Sequence, residues 1–401
     1  MMTATALLLR GARLPEGQVR DVLIEDGRVS AVAPTGQLPS VCDEMDLSGF
    51  LLLPAPAEPH AHLDKALTWD LAGAPPCDLP GAVAAWHGYA ERVTEEDVLV
   101  RARRALHELV ANGATAVRTH ADVLPGPDPL RGLRALLRLR AELSERVTLQ
   151  IAVLHVEAPD EVLDEAMELG ADLLGGCPHL SDDPQAAVTR ALTIAERHGV
   201  GVDLHADEHL RPDPKDLLLL VQAVRERGFA HGATASHCVG LGGLDPAEAA
   251  RIAKEAAASR IGVVALPLTN LYLQGRDTPA PTPRGLTAVR ALLDAGVPLA
   301  GGGDNIRDPF NPVGRADPLE TAGLLVAAGH LTLPEAIHAV TTGARAVLGL
   351  PAAGPYEGAI ADLLAVRADS LSGAVGASYP DRIVFKGGRA VSRTTVIREA
   401  L

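Results

Sequence analysis

The chain has 401 residues, 47% of them hydrophobic, with a formal net charge of −15 and only 2% aromatic residues. That is ample for a large core and too long for one small domain. The acidic balance and the scarcity of stacking aromatics argue against a nucleic-acid partner, and the charge reports solubility rather than a substrate.

Residues 3–50 read as short alternating strands with turn signals, such as Ile24-Glu-Asp-Gly-Arg28. Ala6-Leu-Leu-Leu9 is a short apolar patch broken by Arg10, so no targeting segment stands out. From residue 50 to residue 350, apolar β-like runs alternate with helical runs. The predicted strands are Leu51–Pro54, Ala116–His120, Thr148–Leu154, Asp172–Leu174, Gly199–His205, Thr234–His237, Ile261–Leu266 and Pro298–Gly301. Most are near-continuous apolar runs, as expected of parallel strands buried on both faces. Thr94-Glu-Glu-Asp97 resembles a capping box, and Asp245-Pro246 and Asp317-Pro318 each pair an N-cap with a proline at the first helical position. Leu217–Val221 belongs to an amphipathic helix and is far too short to cross a bilayer.

Eight strands with intervening helices predict a (β/α)8 TIM barrel over residues 54–351. Residues 357–396 return to the style of the start, and neither end has enough apolar residues to fold well alone. Residues 1–53 and 352–401 are therefore expected to pair into one small β-sandwich module. Cys42, Cys77, Cys177 and Cys238 are scattered without a CxxC pair, as in a reduced cytoplasmic protein. No membrane partner is expected, and a homo-oligomer is.

In such barrels the working residues sit at the C-terminal ends of the strands. His60 and His62 follow the first predicted strand, and residues two apart on a strand face the same side. Strand 5 ends in His205-Ala-Asp207-Glu208, strand 6 in Ser236-His237, and strand 8 in Gly301-Gly-Gly303-Asp304-Asn305. His60, His62, His205 and Asp304 can form an N3O shell for a divalent metal, leaving a place for water. The metal lowers the pKa of that water, Glu208 can move protons to a substrate ring nitrogen, and His237 can steady the water and the oxyanion. Asp304 can also accept a proton from the attacking water. Gly301-Gly-Gly303 lacks phosphate-loop spacing and reads as a close approach of backbone to the metal. His120 and Asp122 end strand 2 on the same rim, with a supporting or a structural role. His87, His107, His198, His330 and His338 read as surface or packing residues. The four lysines, Lys65, Lys215, Lys254 and Lys386, lie away from strand 4, where two-metal relatives place a carbamylated lysine. One metal is therefore expected, with Lys65 the least secure of these exclusions.

With these residues assembled, the chain resembles the amidohydrolase superfamily, and within it the cytosine deaminase branch. The resemblance is carried by EPHAHLDK (58–65), VRTHADV (117–123), VDLHADE (202–208), TASH (234–237), LYLQGR (271–276) and GDNIRDPFNPVG (303–314). It implies the same ligands, with Glu208 as proton shuttle and His237 assisting the water. It also implies one Zn2+ or Fe2+ ion and a small heterocyclic substrate. Three positions depart from the cytosine deaminase pattern. Val156 stands where a glutamine bonds the pyrimidine edge, Asn305 where a second aspartate is usual, and Phe310 where tryptophan is common. His155 either takes over the lost bonds or simply packs. Gln274 is expected to line the pocket, whereas Arg276 either lines it or braces the loop.

The leading expectation is hydrolytic deamination of cytosine or a related pyrimidine with release of ammonia. The alternative keeps the site and changes the bond, releasing an amine from an N-substituted aminotriazine or opening a cyclic amide. A catalytically dead binding barrel is a third reading, and it predicts no tightly held metal.

Overall fold

The computed structural model describes residues 6–40, 43–73, 78–211, 213–278, 280, 282–377, 380–397 and 399. Two of the four cysteines considered above, Cys42 and Cys77, lie outside the described residues. Cys177 and Cys238 are free thiols.

Eight parallel strands follow one another around a barrel. They are β1 (Ala57–Ala61), β2 (Ala116–Asp122), β3 (Thr148–Leu154), β4 (Leu173–Gly176), β5 (Gly201–Ala206), β6 (Ala233–His237), β7 (Gly262–Ala265) and β8 (Leu299–Gly301). Each pairs with its sequence neighbours, and helices run between them, as the alternation of apolar runs predicts. The ring closes just past β8, where Ala61 bridges Asp304 and the Asp304 N–H donates to the His60 carbonyl at 3.1 Å.

Glu58 fastens the same seam. Its buried carboxylate accepts the Gly303 N–H at 2.9 Å and the His60 N–H at 3.2 Å. A Cβ at Gly302 would come within 2.7 Å of the Glu58 Oε1 atom. The triple glycine therefore lets backbone approach this carboxylate, a role that its place in the sequence did not reveal.

The first barrel strand departs from expectation. The apolar run predicted as strand 1, Leu51–Pro54, belongs to the strand Phe50–Pro54, which pairs with Leu363–Arg367 in a different sheet. The barrel starts instead at Ala57-Glu-Pro-His-Ala61, whose polar residues face the interior chemistry rather than an apolar core.

The second sheet joins both ends of the chain. Its path runs Arg389–Thr394, Arg382–Lys386, Leu363–Arg367, Phe50–Pro54, Ala6–Arg13, Val19–Glu25 and Arg28–Pro34, with Asp43–Asp46 beside Ala6–Arg13. Leu9, Val22, Leu52, Ala365 and Phe385 from both ends bury one apolar cluster. Asp26 and Gly27 both take positive φ, as a two-residue hairpin turn requires.

The predicted helix starts are present. Thr94 accepts the Asp97 N–H to open helix Glu95–Ala111. Asp245 and Asp317 cap helices Pro246–Ala258 and Pro318–Ala327. Among the described residues, no helix is long and apolar enough to cross a membrane.

Candidate active site

The strand ends converge on a buried cluster at the mouth of the barrel. His60 Nε2 lies 3.2 Å from His205 Nε2, and His205 Nε2 lies 3.3 Å from His62 Nε2. Asp304 Oδ1 is 3.3 Å from His62 Nε2 and 3.8 Å from His60 Nε2. The structure thus brings His60, His62, His205 and Asp304 together from β1, from the residue after it, from β5 and from the turn beyond β8. Asp304 and His237 both adopt positive φ, 63° and 70°. Non-glycine residues rarely adopt this conformation, and it persists where surrounding bonds enforce it. The Thr287 hydroxyl, which donates to the His237 carbonyl, is one such bond.

Whether these residues fit a cation can be judged from what they lack. Both carboxylate oxygens of Asp304 are buried without a hydrogen-bond partner among the described residues. The three Nε2 atoms face one another, and burial holds each of these imidazoles well below its usual pKa, so they are neutral. Buried lone pairs at such separations repel unless a cation sits among them. One tautomer is fixed from below. The Ser236 hydroxyl donates to Asp203 Oδ1 at 2.9 Å, so His60 Nδ1, 2.9 Å from that hydroxyl, is the donor and Nε2 keeps its lone pair. The set fits a divalent metal with three nitrogens and one oxygen.

Glu208 lies beside this cluster, buried, with Oε2 3.7 Å from His237 Nε2. Burial pushes its carboxyl up to about 8, with the nearby His179 acting in the other direction. Asp304 is likewise raised by burial, to about 6. His237 Nδ1 is 2.9 Å from Asn270 Oδ1, which places the proton on Nδ1 and leaves Nε2 as an acceptor with no hydrogen bond among the described residues. Asp207, next to Glu208, is structural: it accepts the N–H groups of Asp216 and Leu217 at the start of helix Asp216–Arg227.

A cavity of about 720 Å3, its open mouth included, abuts the cluster. His62, His205, Glu208, His237 and Asp304 form its polar floor. Val156, Asn305 and Phe310 are on its wall, and Val156 is 38% exposed. Gln274 is not among the described lining residues. Its amide donates to the Glu208 carbonyl at 3.1 Å, so it braces the proton-carrying residue from behind. Arg276 turns to the Tyr272 carbonyl and braces its own loop. His155 lines the cavity, and burial lowers it to about 4. His87, assigned to the surface, is exposed on its helix and also borders the cavity.

The sequence reading missed His179, on the one-turn helix Pro178–Leu180 after β4. Its Nδ1 is 3.1 Å from the His205 carbonyl and 3.4 Å from Asp216, and its Nε2 is 4.0 Å from Glu208. Burial would lower its pKa, but Asp216 and Glu208 prevail and raise it. No periodic pattern marks this residue. Its only signal was position, a histidine three residues beyond a barrel strand. His120 lies tilted against His60 with ring centroids 4.1 Å apart, its Nε2 3.8 Å from Asp203 Oδ1 and neither nitrogen hydrogen-bonded among the described residues.

The chain is similar to known proteins over most of its length. The model of the amidohydrolase family matches residues 128–391. A pterin deaminase of Rhizobium rhizogenes is 32% identical over 389 residues, covering 93% of this chain and 88% of that protein. The crystal structure of a 5-methylcytosine deaminase from Klebsiella pneumoniae, liganded with 5-fluorocytosine, superposes with a TM-score of 0.88 at 28% identity, covering 99% of each chain. An N-isopropylammelide isopropylaminohydrolase from Burkholderia multivorans superposes with a TM-score of 0.85 at 32% identity, covering 97% of this chain and 98% of that one.

Proposed function

Because the chain belongs to the amidohydrolase family, in its cytosine deaminase-like branch, we propose that it hydrolytically deaminates cytosine or a closely related pyrimidine. It is a hydrolase of carbon–nitrogen bonds other than peptide bonds, and its relatives act on small heterocycles. The observation that carries the finer reading is the meeting of three Nε2 atoms and a bare carboxylate beside a Glu208 carboxyl raised to about 8.

In this reading His60, His62, His205 and Asp304 hold one Zn2+ or Fe2+ ion. Such an ion, when bound, makes water acidic enough to attack near neutral pH. Glu208 starts protonated and gives its proton to the ring nitrogen as the water oxygen bonds to the amidine carbon. On the attacking side the Asp304 carboxylate takes the proton that the water sheds and hands it to His237 Nε2. That proton passes to the exocyclic amino group. The carbon–nitrogen bond then breaks, ammonia leaves, and the remaining hydroxyl proton returns to Glu208. The product carries a ring carbonyl beside a ring N–H. His237, protonated in mid-reaction, also steadies the developing negative charge on oxygen.

A second reading, release of an alkylamine from an N-substituted aminotriazine, is favoured by one observation. Val156 with Leu79, Val83 and Leu180 gives the cavity an apolar wall that offers an alkyl group a place out of water. A metal-loaded assay against cytosine, 5-substituted cytosines, isoguanine, pterin, creatinine and N-alkyl aminotriazines separates the readings by the nitrogen species released. Ammonia from a cytosine supports the first, an alkylamine the second, and no turnover on any member overturns both.

A further inference from the structure

One buried cation in this cavity has no part in the proton transfers above. Lys65 is 4% exposed and lies on the cavity wall together with Asp122, Trp86 and Phe310. Its Nζ is 3.0 Å from Asp122 Oδ2, its one ion-pair partner among the described residues. The ammonium sits 5.0 Å from the Phe310 ring centroid and 5.6 Å from that of Trp86, a cation–π seat between two aromatic walls. Burial alone would lower its pKa, but Asp122 and Asp64 overcome this and raise it, so Lys65 carries its charge.

Asp122 is held just as firmly. Trp86 Nε1 donates to Oδ2 at 2.7 Å, and the Asp122 N–H donates to Asp64. The other oxygen, Oδ1, is buried with no hydrogen-bond partner among the described residues. An ammonium has three donors and no acceptor, whereas a carboxylate has only acceptors. Side by side, they present a donor next to an acceptor on one wall.

We propose that Lys65 and Asp122 are the recognition pair of this cavity, and that they select heterocycles in which a ring carbonyl adjoins a ring N–H. The ammonium donates to the ring carbonyl, and Asp122 Oδ1 accepts the neighbouring N–H. Other polar groups on the wall do not present this pattern. The Asn305 amide is already engaged, donating to Asp308 at 2.9 Å and accepting from Thr269 at 3.2 Å. The two nitrogens of His155 point away from each other around the ring and cannot grip one edge together. Val156, on the same cavity wall, has no polar side-chain group. Rings with neither a carbonyl nor a ring N–H, such as 4-aminopyrimidine, leave the ammonium without that acceptor and set a ring lone pair against Asp122 Oδ1, and are rejected.

This inference rests on the proposed reading that the cavity holds a heterocyclic substrate, and the experiment keeps the two apart. Wild type, Lys65→Met, Asp122→Asn and the double variant Lys65→Met/Asp122→Leu are loaded with zinc. Each is assayed for turnover and, separately, by calorimetric binding, with cytosine, 1-methylcytosine and 4-aminopyrimidine. 1-Methylcytosine keeps the carbonyl and loses the N–H beside it. Wild type is expected to bind cytosine between roughly tenfold and a hundredfold more tightly than 1-methylcytosine, the range for a hydrogen bond to a charged group. It is expected not to bind 4-aminopyrimidine detectably. In Asp122→Asn and in the double variant that ratio collapses toward one while metal content is unchanged. If Lys65→Met does not fold because it strands a buried carboxylate, the charge-free double variant carries the comparison. Equal binding of cytosine and its methyl analogue by wild type overturns the pair, as does an undiminished ratio in the variants. A parallel loss for both ligands assigns Lys65 and Asp122 a purely structural role and also overturns it. Selective binding without turnover sustains the pair and overturns the reaction.

Discussion

Two polar layers lie one above the other inside the barrel, and they are built on opposite rules. The lower closes on itself. Arg118 donates to Asp203 at 2.8 Å, to Thr234 at 3.2 Å and to Gln150 at 3.1 Å, and Gln150 in turn donates to the Leu348 carbonyl. The upper leaves polar atoms without a hydrogen bond among the described residues: both oxygens of Asp304, Nδ1 of His205 and Nε2 of His237. Buried polar groups left unpaired are costly, so the contrast is informative. The lower layer spends its hydrogen bonds on rigidity, and Ser236 passes that rigidity upward to the His60 ring. The upper layer is completed only by something from outside the chain.

The comparison can be broken most sharply in the upper layer. His205→Ala is expected to remove bound metal and activity together. Elemental analysis beside an ammonia-release assay checks this, and retained metal would count against the ligand role. Glu208→Gln is expected to keep the metal and lower kcat by roughly a hundredfold or more, the usual loss for a general acid–base. A change of only a few fold would place the proton elsewhere.

In the lower layer the expected loss is stability rather than chemistry. Arg118→Met strands the buried Asp203 carboxylate and should cost about 3–5 kcal/mol, read from denaturant unfolding. Arg118→Met/Asp203→Leu should recover part of it. If the single and double variants are equally unstable, packing rather than charge pairing is what Arg118 supplies.

A pH profile sharpens the same contrast. The Glu208 carboxyl is raised from its ordinary value to about 8, so below that pH it is protonated and able to donate. As pH rises through about 8 the proton is lost, and kcat/KM should fall along that limb. The limb should vanish in Glu208→Gln. The smallest effect is expected from Gln274→Ala. It removes one hydrogen bond to the Glu208 carbonyl, worth about 1 kcal/mol, and should lower kcat a few fold without moving KM. A KM change would put Gln274 in contact with the substrate.

Much of the architecture was legible because buried parallel strands are apolar on both faces and helices announce their starts. Seven of the eight barrel strands lie within predicted runs or overlap them. The exception is instructive. The most apolar segment near residue 50 builds the terminal sheet, whereas β1 carries Glu58 and His60. A strand whose inner face does chemistry does not read as a core strand. Histidines at strand ends were visible because strand alternation and the barrel rule place them together. The pairing of Lys65 with Asp122 was not visible. These residues stand on different strand ends, and no local pattern encodes which carboxylate an ammonium will meet. Gln274 shows the reverse failure, since nearness to the pocket does not determine which way an amide points. His179 escaped notice because a one-turn helix has no period to read.

The central claim is that the unmatched upper layer is a single-cation site. Measuring metal per chain by elemental mass spectrometry, in the wild type and in Asp304→Ala, tests it directly. The account predicts one tightly held divalent ion per chain in the wild type and its loss in the variant. A wild type that holds none, or a variant that holds it undiminished, would contradict it.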